Sequence, residues 1–237
     1  MLDKSIIKLS IIIPCYNEEQ SLNRLVKNCS DHINDSIEII LVDNGSTDNT
    51  FTRLMKMNLP ANIIPVKINN NVGYGNGILV GLQHSNGEIV SWTHADLQTD
   101  VSDVLRGFNL FENELKNKLC VVKGVRKNRN YVDSFFTFSM GIYSSLLLNH
   151  WLFDINAQPK IFHRSFLEKF KSPPLDFSLD LYLIYFFKTM QLKVKTFPVT
   201  FNKREYGEAK GGGTFKGKIK LIKRTLKYIH KLKENVS

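Results

Sequence analysis

Short β-branched runs alternate with helix-patterned segments along the first hundred residues, and this alternation constrains the fold more than any other feature. Leu9-Ser-Ile-Ile-Ile-Pro14, Ile37-Glu-Ile-Ile-Leu-Val42, Asn62-Ile-Ile-Pro-Val66 and Glu88-Ile-Val-Ser-Trp92 read as buried strands. Between them, Leu22, Leu25 and Val26 recur at helical spacing, and Phe51, Leu54 and Met55 follow the capping pair Thr47-Asp48. A third helix is expected near 75–85. Such alternation implies right-handed crossovers and a Rossmann-like α/β fold, a mainly parallel central sheet flanked by helices. After about residue 104 the rhythm loosens. The pattern predicts a helix over Val104–Asn117, a strand over Leu119–Gly124, a helix over Asp180–Met190 and a strand over Leu192–Thr200.

Charge divides the chain unevenly. Of a net +10, residues 203–237 hold 11 Lys/Arg against 3 Asp/Glu, which leaves 21 against 19 for the rest. A nearly neutral body with a basic end is not the footprint of a nucleic-acid binder, so no nucleic-acid partner is expected. Lys216–Lys233 places Ile219, Ile222, Leu226 and Ile229 on one stripe among lysines, which predicts a C-terminal amphipathic basic helix. Lys210-Gly211-Gly212-Gly213-Thr214 before it reads as a joint. The expected organisation is therefore a body over 1–210, divided at about 104/105, and a helical tail over 211–237. Three cysteines without paired spacing argue against a disulfide framework or a structural zinc site and favour a reducing compartment.

Met1-Leu2-Asp3-Lys4 has no signal-peptide pattern. The uncharged stretch Ser134–Phe153 has the length of a membrane span, but Ser134, Thr137, Ser139, Ser144, Ser145, Asn149 and His150 interrupt it. A core helix or one lying at a membrane surface is expected instead.

Ligands of parallel α/β sheets bind beyond the carboxyl ends of the strands. Three polar clusters fall there: Tyr16-Asn17-Glu18-Glu19, Asp43-Asn44-Gly45-Ser46 and His94-Ala95-Asp96-Leu97-Gln98. Together they outline a nucleotide pocket. Asp43 is placed to accept from a base or ribose, and Asp96 and Gln98 offer oxygens to a hard cation holding a diphosphate. Asp48 is read as a turn and cap residue.

These clusters carry a resemblance. Ile11-Ile-Ile-Pro-Cys-Tyr-Asn-Glu-Glu19, Leu41-Val-Asp-Asn-Gly-Ser-Thr-Asp48 and Ala95-Asp-Leu-Gln98 look like successive signatures of family 2 glycosyltransferases with the GT-A fold. The chain is most similar to the branch of dolichyl-phosphate mannose synthases and bacterial polyprenyl-phosphate glycosyltransferases. The similarity runs on through Gly124-Val-Arg126, Asp154–Phe162, Phe177–Asp180 and Pro198-Val-Thr-Phe201 to Arg204–Lys210. It implies a UDP- or GDP-sugar donor, Mg²⁺ or Mn²⁺, and transfer with inversion. On that reading Pro14, Tyr16, Glu18, Asp43 and Asp96 line the donor site, with Asp96, Gln98 and His94 at the metal.

Two departures stand out. His94 replaces the usual first aspartate of the metal motif, so an imidazole without negative charge faces the ion, or stands behind its ligands. Gln158 stands where relatives usually carry Gly or Asp and cannot act as a base. Asp154 and Asp180 are then the candidate catalytic carboxylates, Asp180 matching the base position of hydroxyl-using relatives or else capping its helix. An anionic lipid-phosphate acceptor needs no base; Arg126, Arg129, Arg204 and Lys210 would then neutralise phosphate. The expected function is an inverting transferase acting on a polyprenyl-linked or glycan acceptor in cell-envelope polysaccharide or glycoconjugate synthesis. It is expected to be cytoplasmic and peripheral on the inner face of an anionic membrane. The alternative is an inactive sugar-nucleotide or membrane-binding module.

Overall fold

The computed structural model describes residues 7–127, 131–200 and 215–234 (backbone only for 131–137, 215–222 and 234). The first half alternates as the apolar runs predict: β1 (Leu9–Cys15), α1 (Leu22–Ser30), β2 (Ile37–Asn44), α2 (Thr50–Lys56), β3 (Ile63–Ile68), α3 (Tyr74–Gln83) and β4 (Ile89–Trp92). The second half comprises α4 (Val101–Leu110), α5 (Glu112–Lys116), β5 (Cys120–Lys127), α6 (Tyr131–Leu148), β6 (Lys160–His163), α7 (Leu179–Thr189), β7 (Lys193–Thr200) and α8 (Phe215–Glu234). The single helix expected over Val104–Asn117 is two. It starts earlier, where Asp100 accepts from the Ser102 amide at 2.7 Å, and breaks at Phe111, whose φ of −131° leaves the helical region.

All seven strands join one sheet in the order β3-β2-β1-β4-β6-β5-β7. β6 alone runs antiparallel to its neighbours β4 and β5, and the other pairs are parallel. The carboxyl ends of β2, β1 and β4 therefore lie side by side, which is what brings the three polar clusters together.

Residues alternate between two cores on the sheet's faces. Leu9, Ile11 and Ile13 pack with Leu22 and Leu25 of α1 and Val104 and Phe108 of α4; Ile12 joins the cluster of Ile78, Trp92, Phe162 and Phe187. Ile229 and Leu232 of α8 are buried in that second core. The basic helix is thus bound into the body through Ile229 and Leu232. The three cysteines form no disulfide and are buried. Among the described residues no helix is long and apolar enough to cross a membrane.

Candidate active site

Backbone turns fix the first two clusters to each other. Asn17 takes φ +54°, which lets its amide donate to Ser46 Oγ at 2.9 Å, and the Glu18 amide donates to Thr50 Oγ1 at 2.8 Å. Gly45 sits at φ +73° against the backbone of Asn70 and Asn71, where a Cβ has no room. Asp43 is buried at the end of β2 and accepts from the Ser46 amide at 3.2 Å. Pro14, Tyr16 and Glu18 are half-buried along the same rim, with Glu18 accepting from Ser21 Oγ at 2.7 Å. Asp48 accepts from the Thr50 amide at 2.9 Å at the start of α2, the turn role expected of it.

Beyond β4 the chain turns sharply, with Leu97 at φ +57° and the Gln98 amide donating to Asp96 Oδ1 at 3.1 Å. His94 keeps part of its surface open but is densely surrounded, and its ring lies 5.7 Å from that of Tyr74. Burial pushes the imidazole pKa down, and the opposing pull of Asp96 and Asp180 does not restore it, so the ring is neutral at neutral pH. Tyr74 stacks on Phe177 with centroids 4.7 Å apart. Burial, then the charges of Asp180 and Asp96, push its phenol well above the usual range, so the hydroxyl stays protonated.

The second half contributes two charge-matched carboxylates. Asp180, in the first turn of α7, accepts from Trp92 Nε1 at 3.1 Å and from Gln158 Nε2 at 3.0 Å on each oxygen; Lys160 Nζ lies 3.3 Å away. Ser178 occupies the cap position, so the Asp180 side chain serves the sheet and not the helix end. Lys160 is wholly buried and also donates to the Ala157 carbonyl at 2.6 Å. Asp154, at φ +41°, receives the Arg126 amide and Nε at 3.0 Å each, and the guanidinium Nη2 as well. Burial would raise the Asp154 pKa, but the charge and hydrogen bonds of Arg126 hold it below the ordinary value.

Lys123 is buried beneath this pair and donates to the Asp154 carbonyl at 3.0 Å; desolvation, then Lys160, bring its pKa down to about 7. The structure thus brings His94, Asp96, Tyr74, Gln158 and Asp180 to one wall. Arg129, Arg204 and Lys210 lie outside the described residues. Among the described residues no group of three His, Cys, Asp or Glu side chains gathers as a metal cage. An ion here would depend on Asp96, with His94 and Gln98, and on its substrate.

Residues 10–188 match the family described as Glycosyl transferase family 2. The chain belongs to that family. Its fold is also that of glucosyl-3-phosphoglycerate synthase from Mycobacterium tuberculosis, crystallised with Mn²⁺, UDP and glucosyl-3-phosphoglycerate. That match has a TM-score of 0.71 and 16% identity over 94% of this chain and 78% of that one. The same enzyme with Mg²⁺ and UDP matches with a TM-score of 0.72 and 15% identity, covering 94% and 78%. A structure described only as a mycobacterial protein matches with a TM-score of 0.69 and 18% identity, covering 94% and 74%. These matches establish the GT-A arrangement expected from the sequence, and the family makes the chain a glycosyltransferase.

Sequence reasoning missed four residues of the wall: Tyr74, Trp92, Lys123 and Lys160. Lys160 had one signal. A lysine within a run that continues as Ile161-Phe162 belongs to a buried segment, and a buried lysine requires an anion.

Proposed function

We propose that this glycosyltransferase moves a sugar, with inversion, from a UDP- or GDP-sugar to the phosphate of a polyprenyl carrier, as in the dolichyl-phosphate mannose synthase and polyprenyl-phosphate branch. The observation that carries this reading is the state of Asp180. Trp92, Gln158 and Lys160 all engage Oδ1, Gln158 also engages Oδ2, and the side chain is nearly out of water, so the carboxylate is committed to protein partners. A hydroxyl acceptor needs a base during attack, whereas a phosphate arrives anionic. Asp154 is likewise closed by Arg126. The site thus favours a phosphate over a neutral glycan hydroxyl, and Asp180 acts as an anchor that fixes Gln158 and Trp92.

In this reading Pro14, Tyr16 and Glu18 border the nucleoside and Asp43 accepts its hydrogen bonds. Arg126 is held by Asp154 near the transferring phosphates, with Arg129, Arg204 and Lys210 as further phosphate partners. The donor set beyond β4 fits a hard divalent ion: a carboxylate from Asp96, an amide oxygen from Gln98 and a neutral imidazole from His94. Mg²⁺ or Mn²⁺ there would offset charge developing on the departing diphosphate. The glucosyl-3-phosphoglycerate synthase structures with UDP and either ion support both the donor class and the metal. Residues 1–210 form the transferase unit, with a nucleotide half to about 104 and an acceptor half beyond it. In the 211–237 tail, α8 faces an anionic membrane on the cytoplasmic side, where carriers for envelope polysaccharide or glycoconjugate synthesis reside.

The test is turnover with polyprenyl phosphate after a thermal-shift screen of UDP- and GDP-sugars with and without Mn²⁺. Asp96→Ala is expected to lower turnover roughly a thousandfold while the protein stays folded. Transfer only to a neutral sugar hydroxyl, lost in Asp180→Asn, would make Asp180 the base and overturn the phosphate acceptor.

A further inference from the structure

We infer that α6 and α8 together form the surface by which this protein docks on an anionic lipid bilayer. Phe138, Ile142 and Leu146 of α6 recur every four residues and are 48%, 38% and 78% exposed; Trp151 and Phe153 follow at 66% and 41%. Five large apolar side chains in sixteen residues, open to water, exceed the scatter of single exposed hydrophobics on an ordinary surface. On α8, Lys223, Lys227 and Lys231 recur at the same four-residue spacing and are exposed. The helices pack on one another, and Tyr143 Oη lies 3.2 Å from His230 Nε2 at their seam.

Charge selects the occupant. An apolar stripe beside a row of ammonium groups is complementary to acyl chains beneath anionic headgroups, and Trp151 has the ring favoured at that boundary. A second copy would bring lysines against lysines. Since Ile229 and Leu232 are buried in the core, the lysines are held at a fixed place beside α6 and do not trail on a tether. This surface gives a location to the membrane contact proposed above, but it rests on α6 and α8 and not on the acceptor.

The two tryptophans supply the assay. Trp92 is fully buried and Trp151 exposed, so a blue shift of tryptophan emission on adding vesicles reports Trp151 leaving water. With the full chain and phosphatidylglycerol–phosphatidylcholine vesicles, a blue shift and co-sedimentation are expected, and phosphatidylcholine alone should give little of either. Reversing Lys223, Lys227 and Lys231 to Glu should weaken binding by at least roughly a hundredfold. Leu146→Glu should weaken it roughly tenfold or more and Trp151→Phe should remove the shift while retaining sedimentation. UDP-sugar binding should be unchanged in all three variants. Absence of a shift, vesicle binding that survives both the lysine and Leu146 changes, or a dimer that Leu146→Glu dissociates without altering vesicle binding would each overturn the surface. Failure of donor turnover with vesicle binding intact would instead count against the proposed reaction.

Discussion

Lys160 and Asp180 make a decisive pair for perturbation, because they lie at the centre of the site and nearly out of water. Their side chains are 0% and 3% exposed, with Nζ 3.3 Å from Oδ1. Lys160→Met leaves Asp180, among the described residues, with the neutral donors of Trp92 and Gln158 as its hydrogen-bonding partners. Asp180→Asn leaves the ammonium with the Ala157 carbonyl as its hydrogen-bonding partner. Either change strands a buried charge, for which about 3–5 kcal/mol is expected. The double variant removes both charges and should cost far less than the sum, giving a coupling of at least about 2 kcal/mol. Urea unfolding at pH 7, followed by circular dichroism, measures all four corners of the cycle. Additivity within about 0.5 kcal/mol would refute the ion pair as an anchor. It would also remove the main reason for denying Asp180 the role of base.

Two further perturbations test the surroundings of that pair. The Lys123 pKa is lowered from 10.5 to about 7 by burial, so between those values the unfolded chain binds more protons and stability rises with pH. Wild type should therefore gain about 3–4 kcal/mol relative to Lys123→Met between pH 7 and pH 10, measured by urea midpoints at both values; equal slopes would show that Lys123 is not desolvated. In Gly124→Ala the new Cβ meets the backbone carbonyl of Gln158, which has no rotamer by which to withdraw. A loss of about 1–3 kcal/mol is expected, with weakened donor turnover because Gln158 is displaced; unchanged melting would disprove the close packing of β5 on that segment.

The parts of this fold that could be read in the sequence are those where burial and turn chemistry agree. β1, β2 and β4 are apolar runs that end in residues able to leave the strand, so the strands and their polar ends are both visible. β6 was not expected. It is four residues long, opens with a lysine and runs antiparallel between β4 and β5, so neither length nor composition separates it from a loop. Lys123 reads as a solvent-facing strand lysine because its acceptors, the carbonyls of Gly124 and Asp154, are backbone groups that no side-chain pattern marks; for Lys160 the buried run was visible, but its counterion Asp180, twenty residues on, was not. Asp154 and Asp180 were picked out as carboxylates, but their partners could not be. Pairing is a property of the sheet order, which sets β5 and β6 beside each other.

That pairing also links the two departures from the family pattern. Gln158 supplies both amide hydrogens within the wall, to Asp180 and to the Tyr74 hydroxyl at 3.2 Å, while its Oε1 is buried without a partner among the described residues. An aspartate at that position would set two carboxylates against each other and would repel Asp180 in place of binding it. His94 acts in the same direction. A neutral imidazole beside Asp96 spares the wall a third negative charge, which on the proposed reading would face a diphosphate and an anionic acceptor. The two substitutions therefore act in one electrostatic direction, lowering the negative charge of the wall, which is what the proposed transfer between two phosphates would call for.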